Sequence, residues 1–138
     1  MPFTRLRYHI VMATKYRKPW ITADIESFLY PVLGHITTRI GGKLIGIGGI
    51  EDHVHMVSAY PPKLSVSQFI ERLKVESTGA LKRHRRDLWN FGWGVGYGCF
   101  TLDSRNLSGI IDYVKNQKIH HAEDNLRDPY ECYDTRGF

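Results

Sequence analysis

Apolar residues recur at helical spacing in two long stretches of this sequence, and short runs of strand character stand before, between and after them. From Ala23 to Ile40 the recurring residues are Ile25, Phe28, Leu29, Val32, Leu33 and Ile36. From Ser65 to about Arg86 they are Val66, Phe69, Ile70, Leu73, Ser77 and Leu81. Each set describes one face of an α-helix. Thr22 and Ser65 stand where N-caps are wanted, and Gly41-Gly42 closes the first helix. Pro31, inside the first pattern, is expected to kink or split it. Strand candidates are Arg7–Ala13, Lys43–Gly48, His53–Tyr60 and Tyr97–Leu102, the middle two separated by Gly49-Ile50-Glu51-Asp52 as in an antiparallel hairpin. A last helix, from about Asn106 to His120, would bury Leu107, Ile110, Ile111 and Val114. The order β-α-β-β-α-β-α is the ferredoxin-like split βαβ plan. It predicts an α+β sandwich, an antiparallel sheet with helices on one face, plus a C-terminal helix. With 138 residues and no repeat or linker, one domain over 1–138 is expected.

Charge is distributed unevenly along the chain. Residues 1–122 hold 17 Lys and Arg against 9 Asp and Glu, whereas residues 123–138 hold 2 against 5. A basic body with a short acidic tail suits a domain that binds a polyanion, because neutralised phosphates release counterions. No apolar run is long enough to span a membrane, so no membrane partner is expected. Met1-Pro2-Phe3-Thr4-Arg5 lacks the apolar core of a secretory signal. The expected location is the cytoplasm, with Cys99 and Cys132 as reduced thiols.

His53-Val54-His55 is the strongest local signal. On a strand the two imidazoles share one face, with Cα atoms roughly 6.5 to 7 Å apart, within reach of one divalent ion. Three familiar His-x-His chemistries fail for want of a partner further along the strand. The aspartate of an amidohydrolase strand and the third histidine of a histidine triad would both fall at Val57, and the glutamate of a cupin would fall at Ala59 or Tyr60. The second signal is Tyr113 with Gln117 four residues later, which puts phenol and carboxamide on one side of a helix. Tyrosine can act as a covalent nucleophile when its oxygen is activated.

Together, Glu51-Asp52-His53-Val54-His55-Met56 and a terminal-helix Tyr-x-x-x-Gln about 60 residues later resemble the single-tyrosine HUH transposases of prokaryotic insertion sequences. Tyr8-His9-Ile10-Val11, Ala13 to Pro19 and Gly96 to Phe100 are similar to the same family. The resemblance implies that His53, His55 and Gln117 hold a divalent metal, Mg²⁺ or Mn²⁺, and that Tyr113 is the nucleophile. It implies cleavage and rejoining of single-stranded DNA at insertion-sequence ends through a 5′-phosphotyrosine, with hairpins near those ends. It also implies a homodimer in which the tyrosine helix of one subunit docks beside the His pair of the other. A domesticated relative acting on palindromes in its host genome, or an inactive one that only binds DNA, is the alternative.

Basic residues meet the second requirement of such an enzyme. Lys15, Arg17 and Lys18 follow the first strand, while Lys74, Lys82, Arg83, Arg85 and Arg86 line the long helix and its end. These are the candidate phosphate contacts. Tyr16, Trp20, Trp89, Phe91 and Trp93 are placed either to stack on unpaired bases or to pack in the core. Gly92, Gly94, Gly96 and Gly98 recur at period two and make no phosphate-binding loop. His9, His35, His84, His120 and His121 receive no role.

Overall fold

The computed structural model describes residues 3–105 and 107–123. Strands β1 (Arg7–Ala13), β2 (Lys43–Ile50), β3 (His53–Ala59) and β4 (Gly98–Thr101) form one sheet in the order β2-β3-β1-β4, with every neighbouring pair antiparallel. Helices α1 (Ala23–Arg39) and α2 (Val66–His84) pack on one face. Helices α3 (Leu107–Lys115) and α4 (Gln117–Glu123) follow β4. This is the expected split βαβ sandwich.

The central strands β1 and β3 are buried residue after residue instead of alternately. Layers on both faces explain this. Ile10, Met12, Val54 and Met56 meet Ile25, Leu29 and Leu33 of α1 and Phe69, Ile70 and Leu73 of α2 in the main core. Val57 turns the other way and packs with Ile110 and Val114 of α3. Ser77, the odd polar residue in the apolar stripe of α2, accepts a hydrogen bond from Trp93 Nε1 at 3.0 Å. Ser65 caps α2 as expected: its Oγ accepts from Gln68 N at 3.2 Å, and its own N–H donates to Gln68 Oε1 at 3.0 Å.

Three details differ from the expectations. Helix α1 is not split at Pro31, because both Pro31 and Ser27, whose carbonyl loses its donor, lie on exposed positions. β2 runs on to Ile50, which shortens the hairpin to a turn at Glu51-Asp52. The single final helix is broken at Asn116. There the backbone N–H and the side-chain Nδ2 both donate to Asp112 O, at 3.1 and 2.8 Å, and Gln117 opens a second helix. The predicted helix start at Asn106, Cys132 and most of the acidic tail lie outside the described residues. Among the described residues no helix is long and apolar enough to cross a membrane.

Candidate active site

Strand alternation sends Val54 and Met56 into the main core and turns His53 and His55 toward α3. Both imidazoles are fully buried, with ring centroids 5.0 Å apart. Each is oriented through its Nδ1. His53 Nδ1–H donates to Asp52 Oδ1 at 2.8 Å, and His55 Nδ1 is hydrogen bonded to His9 Nε2, also at 2.8 Å. Such partners hold a ring and select which nitrogen faces a ligand. Nothing in the sequence alone singles out His9. Only the cross-strand register, which sets His9 against Val57 and Val11 against His55, brings it there.

Asp52 is the hub of this end of the sheet. Burial alone would raise its carboxyl pKa, but hydrogen bonds from His53 and Arg17 outweigh burial and bring it down to about 2. A depressed carboxylate contributes stability above its ordinary value of 3.8, and that contribution is lost as pH falls toward 2. Asp52→Asn should therefore lower stability at neutral pH and flatten the acid limb between those two values. Denaturant midpoints measured across that range check this, and an unchanged acid limb contradicts it.

Tyr113 of α3 is 1% exposed. Its ring stands edge-on to His55 at 6.1 Å between centroids and is stacked on His120 at 4.6 Å. Gln117 is fully buried; its Nε2 donates to Tyr113 O at 3.3 Å, and its Oε1 lies 3.1 Å from His121 Nε2. His121 Nε2 in turn lies 3.2 Å from His53 Nε2. The face of β2 under α3 permits this approach. A Cβ on Gly48 would stand 1.9 Å from Val114 O, and one on Gly46 would stand 3.4 Å from Ile111 Cγ2. Lys118 ties α4 down by donating to Glu26 Oε2 at 2.8 Å and Gly49 O at 3.1 Å.

The donor set suits a divalent cation. Imidazole nitrogen and amide oxygen are both accepted by Mg²⁺, Mn²⁺ and their neighbours, with imidazole favouring the transition metals. Among the described residues no three His, Cys, Asp or Glu side chains gather as a metal-holding group, so an ion here needs the Gln117 amide beside the imidazoles.

The model of the family described as "Transposase IS200 like" matches residues 2–117, which is most of the chain. This chain belongs to that family of transposases. It is 31% identical over 116 residues to the transposase for insertion sequence element IS200 of Salmonella typhimurium, covering 80% of this chain and 76% of that one. It is 25% identical over 118 residues to the ISDra2 transposase TnpA of Deinococcus radiodurans, covering 82% and 84%. Among solved structures, a putative transposase from Deinococcus radiodurans R1 superposes with a TM-score of 0.70 at 25% identity, over 84% of this chain and 93% of the other. A REP-associated tyrosine transposase bound to a REP hairpin shares the fold, with a TM-score of 0.66 at 12% identity over 88% and 72%.

Three basic side chains of the transposase, Lys15, Arg17 and Lys18, follow β1 at the end of the sheet where β1 and β2 finish and β3 begins, the end that carries His53. Lys15 and Lys18 are exposed, their ammonium groups 5.5 Å from the Tyr16 ring and 5.3 Å from the Trp20 ring. Tyr16 and Arg17 hold left-handed φ angles of 58° and 57°, and this turn leaves Tyr16 71% exposed. Arg17 is engaged with Asp52. Lys82, Arg83 and Arg86 are exposed at the end of α2, and Arg85 pairs with Asp87 at 2.7 Å.

Lys74 does not fit the phosphate contact expected of it. Its ammonium donates to Gly94 O, Val95 O and Gly96 O at 2.7, 3.3 and 2.9 Å, holding the chain that leads into β4. Half-buried there, it has its pKa lowered by desolvation. Of the five aromatic candidates, Phe91 and Trp93 are core residues and Trp20 packs on Phe91 at 5.3 Å. Tyr16 and Trp89 are the exposed pair.

Proposed function

We propose that this transposase cleaves and rejoins single-stranded DNA with Tyr113 as nucleophile. The phenolic oxygen attacks a backbone phosphorus, the bond to the 3′ oxygen breaks, and that oxygen leaves with a proton. The products are a 5′-phosphotyrosine and a 3′-hydroxyl. Attack by a 3′-hydroxyl on the phosphotyrosine reverses the exchange and needs no ATP, because the phosphodiester energy is kept in the tyrosyl ester. His53, His55 and Gln117 are the residues proposed to hold a divalent ion, Mg²⁺ or Mn²⁺, which would supply a Lewis acid for the phosphoryl oxygen. The observation that carries this reading is the seating of Tyr113 and Gln117 against the buried, oriented His pair.

Lys15, Arg17, Lys18, Lys82, Arg83, Arg85 and Arg86 are the proposed backbone contacts, with Tyr16 and Trp89 as stacking surfaces for unpaired bases. A hairpin is the proposed ligand form, supported by the hairpin bound to the relative of the same fold. The test is incubation with end-labelled hairpin DNA and Mg²⁺ or Mn²⁺, followed by denaturing electrophoresis. A metal-dependent protein–DNA adduct is expected, and cutting that continues in excess EDTA would remove the metal role. His53→Ala and His55→Ala should likewise stop cutting while binding is largely kept.

We further propose a homodimer with shared sites. Exchange of α3 would preserve every contact described above, since the same helix would meet the same sheet in the partner, and Asp103-Ser104-Arg105 before it are exposed. Tyr113→Phe and His53→Ala proteins, each inactive, are co-expressed to form heterodimers. With exchange, one site per heterodimer is intact and the mixture regains cutting. A silent mixture with verified heterodimers places each site within one chain.

A further inference from the structure

Lys15 and Lys18 face solvent, whereas Arg17 between them turns inward. We propose that Arg17, beyond the DNA backbone contact, is a positioning residue of the cutting reaction, acting through Asp52 to hold the His53 ring. The inference rests on the metal-binding reading of His53.

The sharing of one carboxylate is the first support. Asp52 Oδ1 accepts from His53 Nδ1–H at 2.8 Å and from Arg17 Nη2 at 3.3 Å. Arg17 Nε faces the other oxygen, Oδ2, also at 3.3 Å. The guanidinium thus grips the carboxylate side-on while the carboxylate holds the imidazole. A carboxylate only accepts, so the proton between Asp52 and His53 belongs to Nδ1, and His53 Nε2 carries the lone pair. The Asp52 side chain is 24% exposed. Without Arg17, water competes for its oxygens, and rotation of the carboxylate breaks the bond that orients His53.

The joining of two turns is the second. Thr14 N donates to Asp52 O and Ile21 N to Glu51 O, both at 2.9 Å. Thr14 Oγ1 donates to Lys18 O at 2.7 Å, which closes the loop around Arg17. The segment that carries Arg17 is therefore fastened to the turn that carries Asp52.

Backbone strain is the third. Tyr16 and Arg17 both hold left-handed φ angles, a conformation that is unfavourable for any residue with a Cβ. Two in succession persist only where surrounding contacts over-determine them. Here the turn sends Tyr16 to solvent and Arg17 to Asp52. The Arg17 side chain stays 35% exposed, so DNA and Asp52 can both reach it.

Arg17→Lys separates the two roles, because lysine keeps the charge that attracts phosphate but lacks the planar fork. Affinity for end-labelled hairpin DNA should stay within about threefold of wild type. The rate of adduct formation at saturating DNA and Mn²⁺ should fall about tenfold, the lower end of what loss of a ligand's partner costs. Heteronuclear NMR of the full chain without metal should show the His53 Nδ1–H proton exchanging faster with water. In an Asp52→Asn background, Arg17→Lys should add no further loss, because the path through Asp52 is already cut. Lys15→Gln is the contrast: it weakens DNA binding and leaves the His53 proton as in wild type. Arg17→Gln gives the same NMR readout should the lysine variant fold poorly. Either a wild-type rate or a wild-type His53 proton in Arg17→Lys would overturn the positioning role, as would equal losses with and without Asp52. Cutting at the wild-type rate by His53→Ala would instead overturn the metal reading from which it starts.

Discussion

Tyr113→Phe should leave no covalent DNA adduct, a fall of at least about a thousandfold to background, in a protein that still folds and binds DNA. The substitution removes one oxygen and keeps the ring. That ring is what packs between His55 and His120, and it is 1% exposed, so the shape of the site is retained. Loss of one buried hydroxyl costs on the order of 1 kcal/mol, which a folded domain tolerates. The exposed basic groups proposed to bind DNA, Lys15, Lys18, Lys82, Arg83 and Arg86, are not touched. Labelled single-stranded DNA, denaturing gels and a binding titration run in parallel separate the two properties. An adduct that persists, for example on Tyr97, would show that the nucleophile lies elsewhere.

Gly48→Ala should also damage cutting severely, although residue 48 carries no chemistry. The new methyl group would stand 1.9 Å from Val114 O, 2.8 Å from Val114 C and 3.2 Å from Lys115 Cα. These are backbone atoms of α3 and the residue that ends it, so no side chain can rotate out of the way. The helix must lift by on the order of 1 Å, at a cost of about 1 to 3 kcal/mol in stability. A misplacement of that size costs about a hundredfold in rate when it separates a nucleophile from the groups that activate its target. Gly46→Ala is the matched control. The atoms nearest its methyl would be Cγ2, Cγ1 and Cβ of the Ile111 side chain at 3.4, 3.7 and 3.9 Å, ordinary contacts, so stability should change by less than about 0.5 kcal/mol. Thermal melts and adduct yields for the pair decide the matter. If the two alanine variants behave alike, close approach of α3 is not what the glycine provides.

Local chemistry explains what could be read from the chain alone. Helix faces follow from the 3.6-residue period, and β3 places His53 and His55 together because strands have a period of two. The Ser65 cap is a four-residue signal, and the Tyr113–Gln117 spacing survives the break at Asn116 because that break inserts no residues between them. The sheet order follows from connection rules acting on the element order. His9 reached His55 only through strand register, across 46 residues. Lys74 was drawn from a plausible basic helix face to three carbonyls 20 to 22 residues away.

His121 stands one turn beyond Gln117, so its spacing was visible, but its convergence on His53 depended on where α4 lies. Gly48 is an ordinary strand glycine until a helix is laid across it. In each case the deciding contact joins groups far apart in the chain, and their meeting depends on how whole elements pack. Sequence determined the elements, the sheet and the pair of signals proposed to carry the chemistry. Tertiary structure decided which polar groups surround them, because burial and cross-strand distance are properties of the assembled layers.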